Sequence, residues 1–240
     1  MTTPLRMSKE RLHRLADDLA YQVMRQLHLR QVPEVAVRNC RGLCSADKTK
    51  RSILVKIVHE GKSRTYALLS CAGAVDYSLL LVKGSADVSK AVAQFLWEFF
   101  RCQVRPLPLS PQNLSLFLSF WVCILGSSSP SEQHVSLTLK HPTLDTCELE
   151  LTTTLSKAKG CMQRLGIGKE IFEEDSDNLI DALYGQFGKV MPLEFDAFFL
   201  ESIHLAMASL QCSGLVHFHD CETASDVVRY LVMLARDISA

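Results

Sequence analysis

The chain has 240 residues, 48% of them hydrophobic, and its 26 Lys/Arg balance 26 Asp/Glu to a net charge of zero. That is enough apolar material for one large globular domain, or two closely fused lobes, to bury a core without metals or disulfides, and it excludes a low-complexity or disordered chain. The balance is local rather than uniform: residues 1–65 hold 14 Lys/Arg and 6 Asp/Glu (net +8), and the remaining residues hold 12 and 20 (net −8). A basic first third points toward an acidic partner, nucleic acid included, or toward the acidic remainder of the same chain. The cysteines number nine, so any disulfide scheme leaves one over. Cys71, Cys102, Cys123 and Cys212 lie in apolar strings, as reduced, buried thiols of a nuclear or cytosolic protein do. Met1–Ser8 is followed by no apolar stretch of the secretory kind, and the run Leu114–Leu125 is too short to span a bilayer, so a soluble intracellular protein is expected.

Ser8 caps a helix to about Leu27, with Leu12, Leu15, Leu19, Val23 and Leu27 on one stripe. Pro33 ends it, Val35–Val37 starts a strand, and Asn39–Arg51 reads as a basic loop. Ile53–His59 and Thr65–Cys71 are apolar and β-branched runs joined by a turn around Gly61, and Ser78–Val82 is a third strand. Val88, Val92, Phe95, Leu96 and Phe99 then recur at helical spacing, which predicts a helix over Asp87–Arg101. A short strand is expected over Gln103–Leu107, and Ser110 before Pro111 opens a second apolar helix.

Gly126–Pro130 reads as a linker. Beyond it, Val135, Leu137 and Leu139, then Leu149 and Leu151, alternate with polar residues as a hairpin with one buried face. Helices are expected over Ser156–Leu165 and Asn178–Phe187, the second preceded by acidic residues Glu173–Asp177 that complement its dipole. Pro192–Phe195 and Ser202–Leu210 read as strands, Ser213–Gly214 as a turn, and Leu215–His219 as the returning strand. Thr223 caps a last helix ending near Arg236. The fold class is α+β: a curved antiparallel sheet in two pseudo-repeated halves, 1–126 and 127–240, with helices packed on one face and the halves fused as one globular unit.

The residues supply no catalytic signature. Gly166-Ile-Gly168-Lys169-Glu170 lacks the opening glycine of a phosphate loop, and Glu170 stands where a magnesium-binding hydroxyl belongs. His217, His219, Asp220 and Cys221 are close together but have no second ligand pair at metal-site spacing, and Cys40 and Cys44 lack partners. The acids Glu173, Glu174, Asp175 and Asp177 do not follow a calcium-loop pattern. There is no nucleophile elbow. Arg38, Arg41, Lys48, Lys50 and Arg51 form a basic stretch suited to phosphates, without the aromatics that stack bases. No cofactor, metal, small-molecule ligand or membrane is expected.

Two segments carry a family resemblance. Ala91–Val122 has an aromatic-rich helix, a cysteine, a proline-flanked stretch and a second helix with a late tryptophan. Asp177–Ala235 has Leu183-Tyr184-Gly185-Gln186-Phe187 in a helix, a strand pair with a tight turn, and a closing amphipathic helix. Both, with the hydrophobic strand Ile53–Val58, resemble the centromere protein L family of the inner kinetochore, from about Arg11 to the C-terminus. The resemblance implies a nuclear, centromeric binding subunit with a curved sheet and helices. It implies a heterodimer with centromere protein N, assembly with centromere protein C and the H, I, K and M group, and basic surfaces lying beside DNA. It also implies pairing through the C-terminal sheet. The expected partner surface is therefore the last hairpin, with Ile203, Leu205, Met207, Leu215, Val216, His217, Phe218 and His219, while Arg38, Arg41, Lys48, Lys50 and Arg51 are the expected DNA contacts. The other function classes consistent with the residues are an adaptor of an unrelated complex and a small-molecule enzyme without local signature.

Overall fold

A computed structural model describes residues 8–41, 51–59, 63–71, 77–101, 104–125, 133–144, 146–168, 170–191, 193–220 and 223–237. The chain separates into two compact units, residues 1–105 with 225–240, and residues 106–224.

The first unit begins with helix α1 (Lys9–Gln26), whose capping Ser8 side chain accepts the Arg11 N–H at 3.3 Å. Strands β1 (Glu34–Arg41), β2 (Arg51–His59), β3 (Ser63–Cys71) and β4 (Tyr77–Lys83) follow as an antiparallel meander in the order β1-β2-β3-β4. Helix α2 (Ala86–Phe100) is capped by Ser85, which accepts the Val88 N–H. The 3.6-residue stripe of α1 (Leu12, Leu15, Leu19, Val23) and that of α2 (Val88, Val92, Phe95, Leu96) bury against the alternate residues Ile53, Val55 and Ile57 of β2 and Ala67 of β3. The strands' period of two thus selects the face that the helices cover.

The second unit opens with α3 (Pro111–Leu125). Its start is fixed reciprocally: the Ser110 hydroxyl accepts the Asn113 N–H, and the Asn113 carboxamide oxygen accepts the Ser110 N–H, both at 3.0 Å. Strands β5 (His134–Lys140) and β6 (Glu148–Thr154) form a hairpin with Val135, Leu137, Leu139 and Leu151 buried. Helix α4 (Leu155–Leu165) starts at the Thr154 cap and ends on Gly166, whose φ of 71° is the left-handed turn that glycine makes at no steric penalty. Helix α5 (Glu173–Gly188) leads through a 3₁₀ turn, Phe195–Ala197, to β7 (Phe199–His204), β8 (Ala208–Gln211) and β9 (Val216–Phe218). β7 returns to the free side of β5, so the five-stranded sheet runs β6-β5-β7-β8-β9, every pair antiparallel. Helix α6 (Ala224–Asp237) groups from Ser225 onward with the first unit. No helix among the described residues is long and apolar enough to cross a membrane.

The α+β class with antiparallel sheets is what the sequence led us to expect, but the strands form two sheets rather than one. Four local readings are corrected. Residues 104–107 form no strand, because Pro106 and Pro108 remove ladder donors there. Glu173, Glu174 and Asp175 are the first turn of α5 itself, with the Asp175 carboxylate accepting the Phe172 N–H at 3.0 Å. Of the strand expected over Pro192–Phe195, Leu193 and Glu194 lie in no strand and Phe195 opens the 3₁₀ turn, while Pro192 lies outside the described residues. The single strand expected over Ser202–Leu210 is two, β7 and β8, closed by the Leu205 N–H donating to the Ala208 carbonyl at 2.9 Å. The expected linker at 126–130 and the turn at 60–62 lie outside the described residues.

Candidate interaction surfaces

β9 ends the second sheet. It pairs with β8 (Ala208 with Phe218, Ser209 with His217, Leu210 with Val216), and its other edge has no strand partner among the described residues. Leu215 and Phe218 are 47% and 39% exposed, Val216 is half-buried, and His217 is exposed. The opposite edge, β6, presents Glu148, Glu150 and Thr152 to solvent instead. Charge on a strand edge discourages pairing, and an apolar edge invites it. Of the two edges, β9 is the more apolar.

The eight residues expected at a partner surface divide in two. Ile203, Leu205 and Met207 are buried, so they are not available to a partner; they fill the core side of β7 and the β7–β8 turn. The Met207 carbonyl accepts the N–H groups of both His219 and Asp220, which ties the chain after β9 to that turn. Leu215, Val216, His217, Phe218 and His219 form the accessible remainder.

The other face of this sheet is polar from edge to edge. Thr152, Ser136, His204, Ser209 and His217 are successive register partners across all five strands. Side-chain hydrogen bonds knit the row: Ser136 to Thr152 at 2.9 Å, His204 Nδ1 to the Ser209 hydroxyl at 2.9 Å, and that hydroxyl to His219 Nε2 at 2.7 Å. His204 Nε2 completes it with Ser202 at 3.0 Å. A serine between two imidazoles has the composition of an activated nucleophile. Ser209 is only 2% exposed, however, and its hydroxyl is wholly engaged with the two rings, so the group acts as a strut that fixes the last strands. Cys212 is likewise held as a thiol: burial first, then the Glu201 carboxylate, pushes its pKa up to about 11, and its Sγ donates to the Leu200 carbonyl at 3.2 Å. Burial and then Asp181 push Tyr184 up to about 12, and burial alone raises Tyr230. All three environments favour the protonated, unreactive form.

Of the basic residues expected at DNA, Arg38 is exposed on β1, and Arg41 and Arg51 are register partners at the shared end of β1 and β2. Lys48 and Lys50 lie outside the described residues. Arg41 and Arg51 thus stand together at one end of the strand pair, while Arg38 lies mid-strand opposite Leu54, three residues from Arg41 and on the other face of the sheet. No cluster of three or more metal-ligating side chains occurs among the described residues. Sequence reasoning passed over an exposed tryptophan, Trp97 on α2. Its signal was its position off the apolar stripe that defines that helix.

A family model described as "Centromere protein L" matches residues 7–239. The chain belongs to the centromere protein L family. It is similar to a centromere protein L from Gallus gallus, 24% identical over 166 residues, which is 65% of this chain and 46% of the relative, so the chain spans about half the length of that relative. Membership in the centromere protein L family places the chain in the nucleus, at the centromere and kinetochore, among the proteins of chromosome segregation.

Proposed function

We propose that this chain is a non-catalytic subunit of the inner kinetochore that forms a heterodimer with centromere protein N along the β9 edge, and through that pair joins the network containing centromere protein C and the H, I, K and M group. The observation that carries the reading is an apolar, unpaired strand edge in a member of the centromere protein L family. Adding a partner strand to β9 satisfies its outward backbone groups, and alternate side chains then set specificity: Val216 and Phe218 on one face, His217 on the other. A permanent pair of this kind buries on the order of 2,000 Å² or more, so contacts beyond the short β9 belong to it as well. In this reading Arg38, Arg41 and Arg51, with Lys48 and Lys50 between them in sequence, lie beside centromeric DNA and contact it through phosphates without reading bases.

The test is co-expression with centromere protein N from the same organism, with the mass of the product read by light scattering. A one-to-one complex is expected for the wild type and is lost when Leu215→Glu and Phe218→Glu are combined, both positions being exposed enough for the chain to stay folded. A complex untouched by the double substitution overturns the β9 interface. A well-behaved monomer that never pairs overturns the heterodimer itself.

A further inference from the structure

Prolines stand at 106, 108 and 111, and the residues directly before the last two are Leu107 and Ser110. A proline ring holds its own φ at about −65°, and it pushes the residue before it out of the helical region into extended backbone. Between Pro106 and Ser110 only Leu109 escapes both constraints. The segment is therefore biased to polyproline II, a left-handed helix of about three residues per turn with no internal hydrogen bonds. It forms neither helix nor strand, as that bias requires.

This period sorts the side chains onto three edges. Pro108 and Pro111 share one, Leu107 and Ser110 the next, and Pro106 and Leu109 the last. Pro108, Ser110 and Pro111 are exposed and Leu107 is half-buried, whereas Leu109 is 2% exposed. The chain thus anchors the segment by Leu109 and turns the other two edges outward. The backbone is held as well. The Leu109 N–H donates to the Cys212 carbonyl at 3.2 Å, and the Leu107 carbonyl oxygen lies 2.6 Å from where a Cβ on Gly214 would sit. Ser110 and Asn113 bond reciprocally, and Pro111, at the first position of α3, has no N–H to satisfy. A single proline is enough to keep a connection out of a sheet. It takes more to fix two residue–proline pairs, three positions apart, with both turned to solvent.

We propose that Pro106–Pro111 is a preformed ligand for a partner protein carrying an aromatic-lined groove of the SH3 type. Leu107-Pro108 and Ser110-Pro111 fill neighbouring slots between the groove's rings, and Leu109, on the edge away from the groove, stays buried in this chain. Because the fold already holds the segment in place, part of the ordering entropy of binding is met in advance. The recognition is by ring shape and backbone conformation, and it adds a class of partner that the pairing proposed at β9 does not involve.

The test is biolayer interferometry of the full chain against a panel of purified SH3 domains, with WW domains run alongside. Binding by an SH3 domain is expected. Pro108→Ala and Pro111→Ala are each expected to weaken it at least about tenfold, while Pro106→Ala, on the edge turned from the groove, changes it less than about twofold. Replacing the groove tryptophan of the probe domain by alanine is expected to abolish binding too, a loss that misfolding of this chain cannot produce, and circular dichroism checks the three variants for folding. The proposal is overturned if no SH3 domain binds, if binding survives Pro108→Ala or the altered probe, if Pro106→Ala weakens it as much as Pro108→Ala, or if only WW domains bind.

Discussion

Thr65 faces the core of the first sheet opposite Ile57, fully buried, and its hydroxyl has no hydrogen-bond partner among the described residues. Gly84 stands beside it for a steric reason: a Cβ built there would overlap the Thr65 side chain. Burying an unpaired hydroxyl forfeits its bonds to water and gains nothing in return. Thr65→Val keeps the shape and removes the orphan, so stability is expected to rise by about 1–3 kcal/mol. A urea titration reads this as a higher midpoint at unchanged slope, and an equal or lower midpoint refutes it. Trp121 has the same defect at its indole N–H, but there the ring packs edge-on to Phe117 with centroids 5.7 Å apart. Replacing that ring would open a cavity that offsets the benefit.

At the scale of elements, the β8–β9 hairpin turns on Gly214. Its φ is 81°, its N–H donates to the Gln211 carbonyl at 2.9 Å, and an added Cβ would lie 2.6 Å from the Leu107 carbonyl oxygen. Gly214→Ala therefore meets a left-handed backbone penalty of about 1–2 kcal/mol plus displacement of the Leu107 backbone. The expected outcome is a stability loss of about 2 kcal/mol or more, read as a lowered thermal midpoint; unchanged stability would show that the turn relaxes freely. This turn was readable from Ser213-Gly214, as the helices were from their stripes and caps, because such signals are local. What was hidden was set by partners distant in sequence. The β7–β8 turn falls at Leu205-Ala206-Met207, where buried apolar residues replace the usual turn chemistry, so the string looked like one continuous strand. That β7 would return to β5 after two intervening helices is a property of the sheet, not of any window of residues. The candidate interface was half legible for the same reason. An apolar alternation marks Ile203 and Phe218 alike, and only strand order shows that one is interior and the other lies on the edge.

For the molecule as a whole, charge follows the units. Against the net +9 of residues 1–105 with 225–240, residues 106–224 hold 6 Lys/Arg and 15 Asp/Glu, a net −9. A neutral total thus conceals a unit suited to polyanions and a unit that repels them. If the β1–β2 strand pair meets DNA, its contribution is counterion release, which has a signature independent of any structure of the complex. Affinity for a duplex falls linearly in log–log form with salt, with a slope of about −0.9 for each phosphate neutralised. Removing Arg38, Arg41 and Arg51 together by alanine substitution is then expected to flatten the slope by up to about 2.7, with no change in preference between unrelated duplex sequences. Fluorescence anisotropy of a labelled duplex between about 50 and 200 mM salt measures it. A slope that stays the same in the triple variant removes these three arginines from the DNA surface. A slope that flattens makes phosphate contact a property of this chain in its own right, separable from the proposed pairing at β9 because the residues involved lie in the other unit.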